Sequence, residues 1–178
     1  MSALLVLLLA VAGASWWWLR HGLTEQRIAN FYAAQVDAFQ RQDLVAIASQ
    51  YASDYRGFER QVGPGGTRKI EADLKLACTS VAMLFAWRRK WEAQQAAVEG
   101  RPMRHELRRT STRIAASRRS ADVGLAFHLS LGDALVVEST AVDHLVWRDG
   151  RVLSLRSDAD SRVGGTLMSA GFVAESDA

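Results

Sequence analysis

One carboxyl group in this sequence has neighbours that would change its chemistry. Asp143 lies in a run of β-forming residues, and Ala141, Leu145 and Trp147, two or four positions away, are all apolar. Residues two apart share one face of a β-strand, so we expect Asp143 in an apolar cup, where the loss of water raises its pKa. A neutral carboxyl group can donate a hydrogen bond to a ligand. The alternative is a structural Asp that is satisfied by hydrogen bonds of its own.

Other chemistries have less support. Cys78 is the one cysteine, which excludes a disulfide framework and metal sites built from cysteines. No three His or carboxylate side chains have the spacing of metal ligands, and the glycine-rich run at 63–66 lacks the lysine that follows in a phosphate-binding loop. No Ser or Cys has an evident arrangement with His and Asp for nucleophilic catalysis. We therefore expect no metal ion and no cofactor.

Arginine dominates the basic residues: it accounts for nineteen of the 22, and the formal net charge is +3. Seven arginines lie within residues 101–119, where Glu106 is the one acid, so a solvated hairpin arm is the simplest expectation. A sharper hypothesis is contact with anionic lipid headgroups or an acidic partner chain. The arginines expected to make this contact are Arg104, Arg108, Arg109 and Arg113. Nucleic acid is not expected as a partner, because the net charge is small and the segment lacks interleaved aromatic residues.

The chain begins with a hydrophobic segment. Residues 3–19 carry no charge and end in three tryptophans; as a helix they would span roughly 26 Å, enough to cross the hydrocarbon of a bilayer. We expect a single-pass membrane anchor, and the alternative is a signal sequence cleaved after Ala14. No Lys or Arg precedes the segment, whereas Arg20, Arg27 and Arg41 follow it. This distribution favours a cytoplasmic domain, and an exported domain stays open as the alternative.

The residues after this segment have the pattern of helices. Thr24 can cap the first helix, over residues 24–41, in which apolar residues recur at helical spacing. Asp43 can cap a short second helix whose apolar face ends at Tyr51. After a glycine- and proline-rich loop, a third helix is expected over residues 70–97.

The hydrophobic period then changes from 3.6 to 2, which indicates strands. Alternation is clear over residues 123–131, and residues 134–148 form a long β-rich run. Asp149 and Gly150 predict a tight hairpin. The strand that follows it is expected over residues 151–156.

The order of these elements predicts an α+β fold. The 178 residues are 49% hydrophobic and 23% charged, which is the composition of a globular protein with one core. We expect three N-terminal helices, with a short strand at 55–62 before the third, packed against a curved antiparallel sheet. The predicted organisation is an anchor or signal sequence at 1–20, one domain at 24–160 and a flexible tail at 161–178.

Two stretches resemble one known superfamily. The first is FYAAQVDAFQRQDLVAIASQYASDY, residues 31–55, which is similar to the opening helix pair of the nuclear-transport-factor-2-like (NTF2-like) superfamily, with its hinge at Asp43. The second is AVDHLVWRDGRVLSLRSD, residues 141–158, which resembles the terminal hairpin of the same cone-shaped fold. Asp143 with the His that follows it is similar to a pair in the ketosteroid isomerases of that superfamily. The resemblance covers most of residues 24–160 and implies that this part of the chain has the cone-shaped fold.

The resemblance also implies a site. It matches Asp143 with the Asp that serves the oxyanion hole of the isomerases, and it puts Glu59 in the region of their carboxylate general base. A simpler interpretation of Glu59 is an exposed edge residue paired with an Arg. The isomerase tyrosine would fall near Gln35, with Tyr32 one turn earlier on the same helix face. The residues expected to bind a ligand are Tyr32, Gln35, Phe127, Leu145 and Trp147.

Two classes of function are consistent with this resemblance. The first is a membrane-tethered binding or assembly module that uses the cone mouth or the sheet. A small apolar ligand, a protein partner or a second copy of the chain would then be bound. The alternative is a small-molecule isomerase, dehydratase or cyclase that acts through Asp143 and Glu59. The anchor favours the first class, because an ordinary metabolic enzyme does not need one, and the fold by itself does not decide between them.

Overall fold

The described part of the chain consists of helices packed on one sheet. A computed structural model describes Gly13 and residues 22–95, 103–131 and 134–164. Within these residues, no helix is both long enough and apolar enough to cross a bilayer. The segment predicted to be an anchor, residues 3–19, lies outside the described residues except for Gly13.

Three helices of this part correspond to the three predicted for the domain. They are α1 (Glu25–Gln40), α2 (Leu44–Ala48) and α3 (Leu74–Gln95). Both predicted caps are confirmed: the Thr24 hydroxyl accepts a hydrogen bond from the Arg27 amide at 3.1 Å, and the Asp43 carboxylate accepts one from the Ala46 amide at 2.9 Å. Such caps satisfy amide groups that the first helical turn leaves without partners.

The strands form a single sheet. They are β1 (Tyr51–Gly63), β2 (Gly66–Asp73), β3 (Met103–Ile114), β4 (Ser120–Leu131), β5 (Ala134–Arg148) and β6 (Arg151–Val163). Their order is β2-β1-β6-β5-β4-β3. Neighbours are antiparallel except β1 and β6, which are parallel. The prediction of a wholly antiparallel sheet is wrong, because the last strand pairs with the first strand as well as with its hairpin partner.

The second helix is shorter than predicted. It ends at Ala48, and Tyr51 begins β1 instead of closing the helix face. The Gln50 carbonyl accepts a hydrogen bond from the Ser154 amide at 2.9 Å. This bond joins the chain to β6 immediately after the helix, so β1 starts earlier than the predicted strand at 55–62.

The third helix also begins later than predicted, because an additional strand precedes it. Ile70 belongs to β2, which pairs antiparallel with β1 through the hairpin turn between Gly63 and Gly66. Ile70 and Leu74 are four residues apart, which imitates helical spacing in the sequence. The loop signal at 63–66 is therefore confirmed as a turn, and the helix begins at Leu74.

The last strand extends into the predicted tail. β6 continues to Val163, whose side chain is buried with Leu129 and Val136. This burial keeps the strand in the sheet beyond residue 161, where the sequence becomes small and polar. Residues 165–178 lie outside the described residues.

Irregular pairing bends the sheet. The register shifts between Arg109 and Ser111 in the β3–β4 pair, after Leu129 in the β4–β5 pair, and after His144 in the β5–β6 pair. Extra residues of this kind bend a strand and increase its twist. The result is the curved sheet that the sequence predicts.

The helices cover one face of the sheet, which we call the inner face and which carries Asp143 and Leu145; the outer face carries Val142 and His144. The main buried cluster joins α1 to β4 and β5, and a second lies under α3. The first contains Ile28, Phe31, Tyr32, Ala121, Val123 and Leu145. The second contains Leu129, Val136 and Val163, with Trp87 and Trp91 packed against them.

Candidate functional site

Asp143 is a buried carboxyl group on the inner face of β5, and each of its two oxygens accepts a hydrogen bond. Only 4% of the residue is exposed. The Tyr32 hydroxyl donates to its Oδ2 at 2.8 Å, and the Ser154 hydroxyl donates to its Oδ1 at 2.5 Å. Tyr32 and Ser154 are themselves buried. The carboxyl group therefore links α1, on one side, to β6, on the other.

A bulge in β6 brings Ser154 to this carboxyl group. Asp143 lies opposite Ser157, and Leu145 lies opposite Ser154, so β6 has one more residue than β5 between these two pairs. In a regular strand, residues three apart point to opposite faces. The bulge at Leu155 removes that constraint, and both serines lie on the cavity side with Asp143.

Burial controls the acidity of this group. It raises the pKa of Asp143, against smaller lowering effects of the hydrogen bonds from Ser154 and Tyr32 and of the nearby His144. Burial, followed by the charge of Asp143, also raises the pKa of the Tyr32 hydroxyl. Tyr32 therefore keeps its proton and acts as a donor.

A cavity of about 340 Å³ lies beside Asp143. Its aromatic walls are Tyr51, Tyr55 and Phe127, and its aliphatic walls are Leu125, Val137, Ala141 and Ala159. Its polar walls are Gln35, Glu59, Asp143, Ser139, Ser154, Ser157 and Ser161. The expectation that Asp143 lies in an apolar cup is wrong, because the inner-face positions of β6 are mainly Ser and Ala, and the serines are polar.

Glu59 lines the same cavity from β1. It does not lie on an edge strand, because β1 stands between β2 and β6. No ion pair involving Glu59 occurs among the described residues; its neighbour Arg60 pairs with Asp160 at 2.5 Å instead. The simpler interpretation of Glu59, an exposed edge residue paired with an Arg, is therefore wrong.

The residues predicted to bind a ligand lie in three places. Gln35 and Phe127 line the cavity. Leu145 and Trp147 share the face of Asp143 but pack in the core against α1. Tyr32 bonds to Asp143 and lines a second cavity, of about 470 Å³, between α1 and strands β3 and β4. The structure thus brings Asp143, Glu59, Gln35 and Phe127 together around one space.

The tyrosines and serines of the cavity were not predicted from the sequence. The rings of Tyr51 and Tyr55 are 4.5 Å apart in an edge-to-face arrangement. A signal for the serines was present in β6, where Ser157, Ala159 and Ser161 alternate with charged residues. Small side chains at alternate positions leave space on one face of a strand.

His144 lies on the outer face, as the alternation predicts. Its Nδ1 is 2.6 Å from Asp122 and its Nε2 is 3.1 Å from Asp158. Arg156 binds Asp158 through two N–H groups and holds the pKa of that carboxyl group below its usual range. In the parts of the chain that the structure describes, no group of three or more His, Cys, Asp or Glu side chains could hold a metal ion.

The four arginines predicted to contact an anionic surface do not share one face. They belong to β3, which is a paired edge strand and not a free arm. Arg109 turns to the inner face and pairs with Glu25 of α1 at 2.9 Å. Arg104, Arg108 and Arg113 are exposed, and contact with an anionic surface stays a prediction for these three.

The arrangement around Asp143 differs from an open oxyanion hole, which presents free donors to a ligand oxygen. Here the Tyr32 hydroxyl donates to Asp143, and each Asp143 oxygen already accepts a hydrogen bond. The Tyr32 hydroxyl could donate to a ligand only after its bond to Asp143 is released. A ligand in the cavity can reach the Glu59 carboxylate without the release of any of these hydrogen bonds.

Comparisons with known proteins identify the architecture. No protein-family model matches the sequence, and no curated protein matches it. Solved structures do match. An NTF2-like protein of unknown function from Shewanella baltica has a TM-score of 0.52 and 9% identity, over 76% of this chain and 91% of that chain. An NTF2-like protein of unknown function from Silicibacter pomeroyi has a TM-score of 0.50 and 10% identity, over 75% and 92%.

A ketosteroid isomerase-like protein from Erwinia carotovora atroseptica is also similar, with a TM-score of 0.48 and 15% identity over 78% of this chain and 98% of that chain. At identities this low, a structural match establishes the fold and not the activity. The described domain has the NTF2-like α+β fold, a curved sheet with helices on one face. The fold that the resemblance implied is thereby confirmed.

Proposed function

We propose that this domain is a binding module that holds a small molecule in the cavity beside Asp143 and Glu59, and that residues 3–19 tether it to a membrane. The observation that carries the proposal is the cavity, whose volume of about 340 Å³ falls within the roughly 300–1,000 Å³ of small-molecule sites. Aromatic and aliphatic walls are typical of such sites, and polar groups among them fix the orientation of the ligand. The uncharged N-terminal segment supports the tether.

The polar groups of the cavity favour a polar ligand over the apolar one expected from the sequence. Glu59 has no ion pair among the described residues, and serine hydroxyl groups of β5 and β6 line the same cavity. Ser139 and Ser161 form a hydrogen bond with each other at 2.9 Å, and a hydroxyl group in such a pair can still bond to a ligand. An apolar ligand would leave these groups unpaired, which costs binding free energy.

The hydrogen bonds of Asp143 favour binding over catalysis. Catalysis of the isomerase type needs a donor that is free to meet charge developing on the substrate. In this site Tyr32 and Ser154 donate to Asp143, so the three groups satisfy one another. Their arrangement supports a structural role for Asp143 at the cavity wall.

A cavity-filling substitution tests the proposal. We would screen the full-length chain, in a non-ionic detergent, against small neutral, cationic and anionic fragments by ligand-observed NMR. Ala141→Phe fills the cavity and should abolish binding of the fragments that the wild type binds. Thr140→Phe is the matched control, because Thr140 is exposed on the outer face of the same strand, and it should leave binding unchanged.

Ala159→Leu, which fills the same cavity from β6, replaces Ala141→Phe if that variant does not fold by circular dichroism. Two results would overturn the proposal. One is that no fragment of any charge binds the wild type. The other is that binding persists in a folded cavity-filled variant.

A small-molecule isomerase, dehydratase or cyclase is the second candidate. The observation that favours it is the raised pKa of Asp143 beside the Tyr32 hydroxyl, because a protonated carboxyl group and a phenol can together stabilise an oxyanion. This function requires the Tyr32 hydroxyl to leave Asp143 and donate to the ligand. A ligand-bound structure with a ligand oxygen within hydrogen-bond distance of both Tyr32 and Asp143 would support it; a ligand held by Glu59 alone would reject it.

A further inference from the structure

The cavity is acidic although the chain is basic. Asp143 and Glu59 both line it, and no Lys, Arg or His among the described residues does. The whole chain nevertheless carries 22 Lys and Arg against 19 Asp and Glu. Two arginines on nearby strands have other partners: Arg60 pairs with Asp160, and Arg109 with Glu25. Among the described residues, no basic side chain therefore lines the cavity with these carboxyl groups, and His144, which lowers the pKa of Asp143 from the outer face, lies beside Asp122 and Asp158.

Aromatic rings stand beside these carboxyl groups. Tyr51 and Tyr55 form one wall, and Phe127 contributes to another. Burial first, and then the charge of Asp143, raises the pKa of Tyr55 to about 12; Glu59 adds to this, and a hydrogen bond with Ser157 opposes it. Burial and the charge of Asp143 also raise the pKa of Tyr51. The tyrosines therefore stay neutral in a field that attracts positive charge.

We infer that the ligand of this cavity is a small organic ammonium ion, either a protonated amine or a quaternary ammonium group, with Glu59 as its counter-ion and Tyr51 and Tyr55 as aromatic walls. Aromatic rings attract cations through their negative faces, and a carboxylate supplies the opposite charge. The inference rests on the proposed binding function and adds the charge of the ligand to it.

Ligands of other charge fit these walls less well. An anion would be repelled by Glu59 and would find no basic side chain to bind. A neutral ligand would remove water from the Glu59 carboxylate without replacing it by a positive charge, which is unfavourable. An ammonium ion restores the balance of charge in the cavity.

Three probes of nearly the same shape and different charge test whether the ligand is a cation, a neutral molecule or an anion. Choline carries a quaternary ammonium group, 3,3-dimethylbutan-1-ol is its neutral analogue, and 3,3-dimethylbutanoate is an anionic one. Each would be titrated into the full-length chain in non-ionic detergent by ligand-observed NMR. We expect choline to bind at least about tenfold more tightly than the alcohol and the anion not to bind.

Glu59→Gln identifies the counter-ion. It should weaken choline binding by about tenfold and leave the affinity for the alcohol unchanged. Glu138→Gln is the matched control, since Glu138 is exposed on the outer face of β5 and its loss changes the net charge equally. In the wild type, added salt should weaken choline binding and not alcohol binding, which tests the charge even if Glu59→Gln does not fold.

The outcomes distinguish this inference from the proposed function. Equal affinity for choline and the alcohol, or failure of choline and of every cationic fragment to bind while neutral or anionic fragments still enter the cavity, would overturn the ammonium inference and leave the binding module standing. An equal effect of Glu59→Gln and Glu138→Gln would also overturn it. Absence of binding by every fragment would overturn both proposals.

Discussion

Asp143 combines deep burial with two hydrogen-bond donors. Burial disfavours its ionised form, and the hydroxyl groups of Tyr32 and Ser154 favour it. Because burial dominates, the pKa of Asp143 lies above its ordinary value. A change in pH should therefore act on the stability of the domain through this residue.

The sign of that effect follows from proton binding. Between the ordinary pKa and the raised pKa of Asp143, the folded chain binds the proton more tightly than the unfolded chain does. The stabilising contribution is complete below the ordinary value and is lost as the pH rises through the raised value. We expect the free energy of unfolding of the wild type to fall, relative to that of Asp143→Asn, over this interval. Urea unfolding at a series of pH values measures the difference.

Ser154→Ala provides the second arm of this experiment. It removes a hydrogen bond that lowers the pKa of Asp143, so the interval over which stability is lost should extend to higher pH. A difference between wild type and Asp143→Asn that does not change with pH would contradict the prediction. So would a wild type that gains stability relative to the variant as the pH rises.

At the level of single residues, the candidate site was partly predictable from the sequence. Asp143 and Glu59 could be named because a lone carboxyl group among apolar residues, or at a position implied by a resemblance, is conspicuous in a sequence. Ser154 could not be predicted from the sequence, because only the bulge at Leu155 turns it towards Asp143. A bulge depends on how two strands pair and leaves no local pattern in either strand.

Among the elements, those with strong local signals were predicted well. The caps at Thr24 and Asp43 fixed the starts of α1 and α2, and the bounds of β5 agree with the β-rich run. β2 was missed because it is an edge strand and most of its residues are exposed. The alternation of half-buried and exposed residues in this strand is confined to residues 70–73, a stretch too short to reveal a strand in the sequence.

The hairpin between β5 and β6 gives a prediction for an element. Asp149 and Gly150 have φ angles of 53° and 76°, the left-handed conformation that a tight hairpin requires. Gly150→Ala should lower the free energy of unfolding by about 1–2 kcal/mol, because a Cβ atom strains this conformation. Urea unfolding measures the loss.

Asp149→Asn is the control for that substitution. Asn tolerates the left-handed conformation at least as well as Asp, so this variant should differ little from the wild type. An equal loss of stability in Asp149→Asn and Gly150→Ala would show that the loss does not come from the backbone conformation of Gly150.

Positively and negatively charged side chains are distributed unevenly over the molecule. Its described arginines lie outside the cavity, several of them paired with acids, and the carboxyl groups inside have no basic partner among the described residues. The sequence could predict the fold class, because the order of helices and strands is local information. It could not predict the parallel pairing of β1 with β6, because contacts so distant along the chain leave no local pattern.

The proposed tether is tested on the intact protein. We expect the full-length chain to stay with the membrane pellet through an alkaline carbonate wash, because a long uncharged segment with tryptophans at its end stabilises insertion. Deletion of residues 2–19 should move the protein to the supernatant. A soluble mature form that begins at Ser15 would contradict the anchor and support the signal sequence.

The central position of β6 has a consequence for synthesis on the ribosome. β6 joins the β1–β2 hairpin to the other three strands, and it is the last of the six to be translated. Until it emerges, β1 has one unpaired edge and the cavity lacks the wall that carries Ser154, Ser157 and Ser161. At roughly 5–20 residues per second, the nascent chain presents that edge to chaperones for several seconds before the domain can fold.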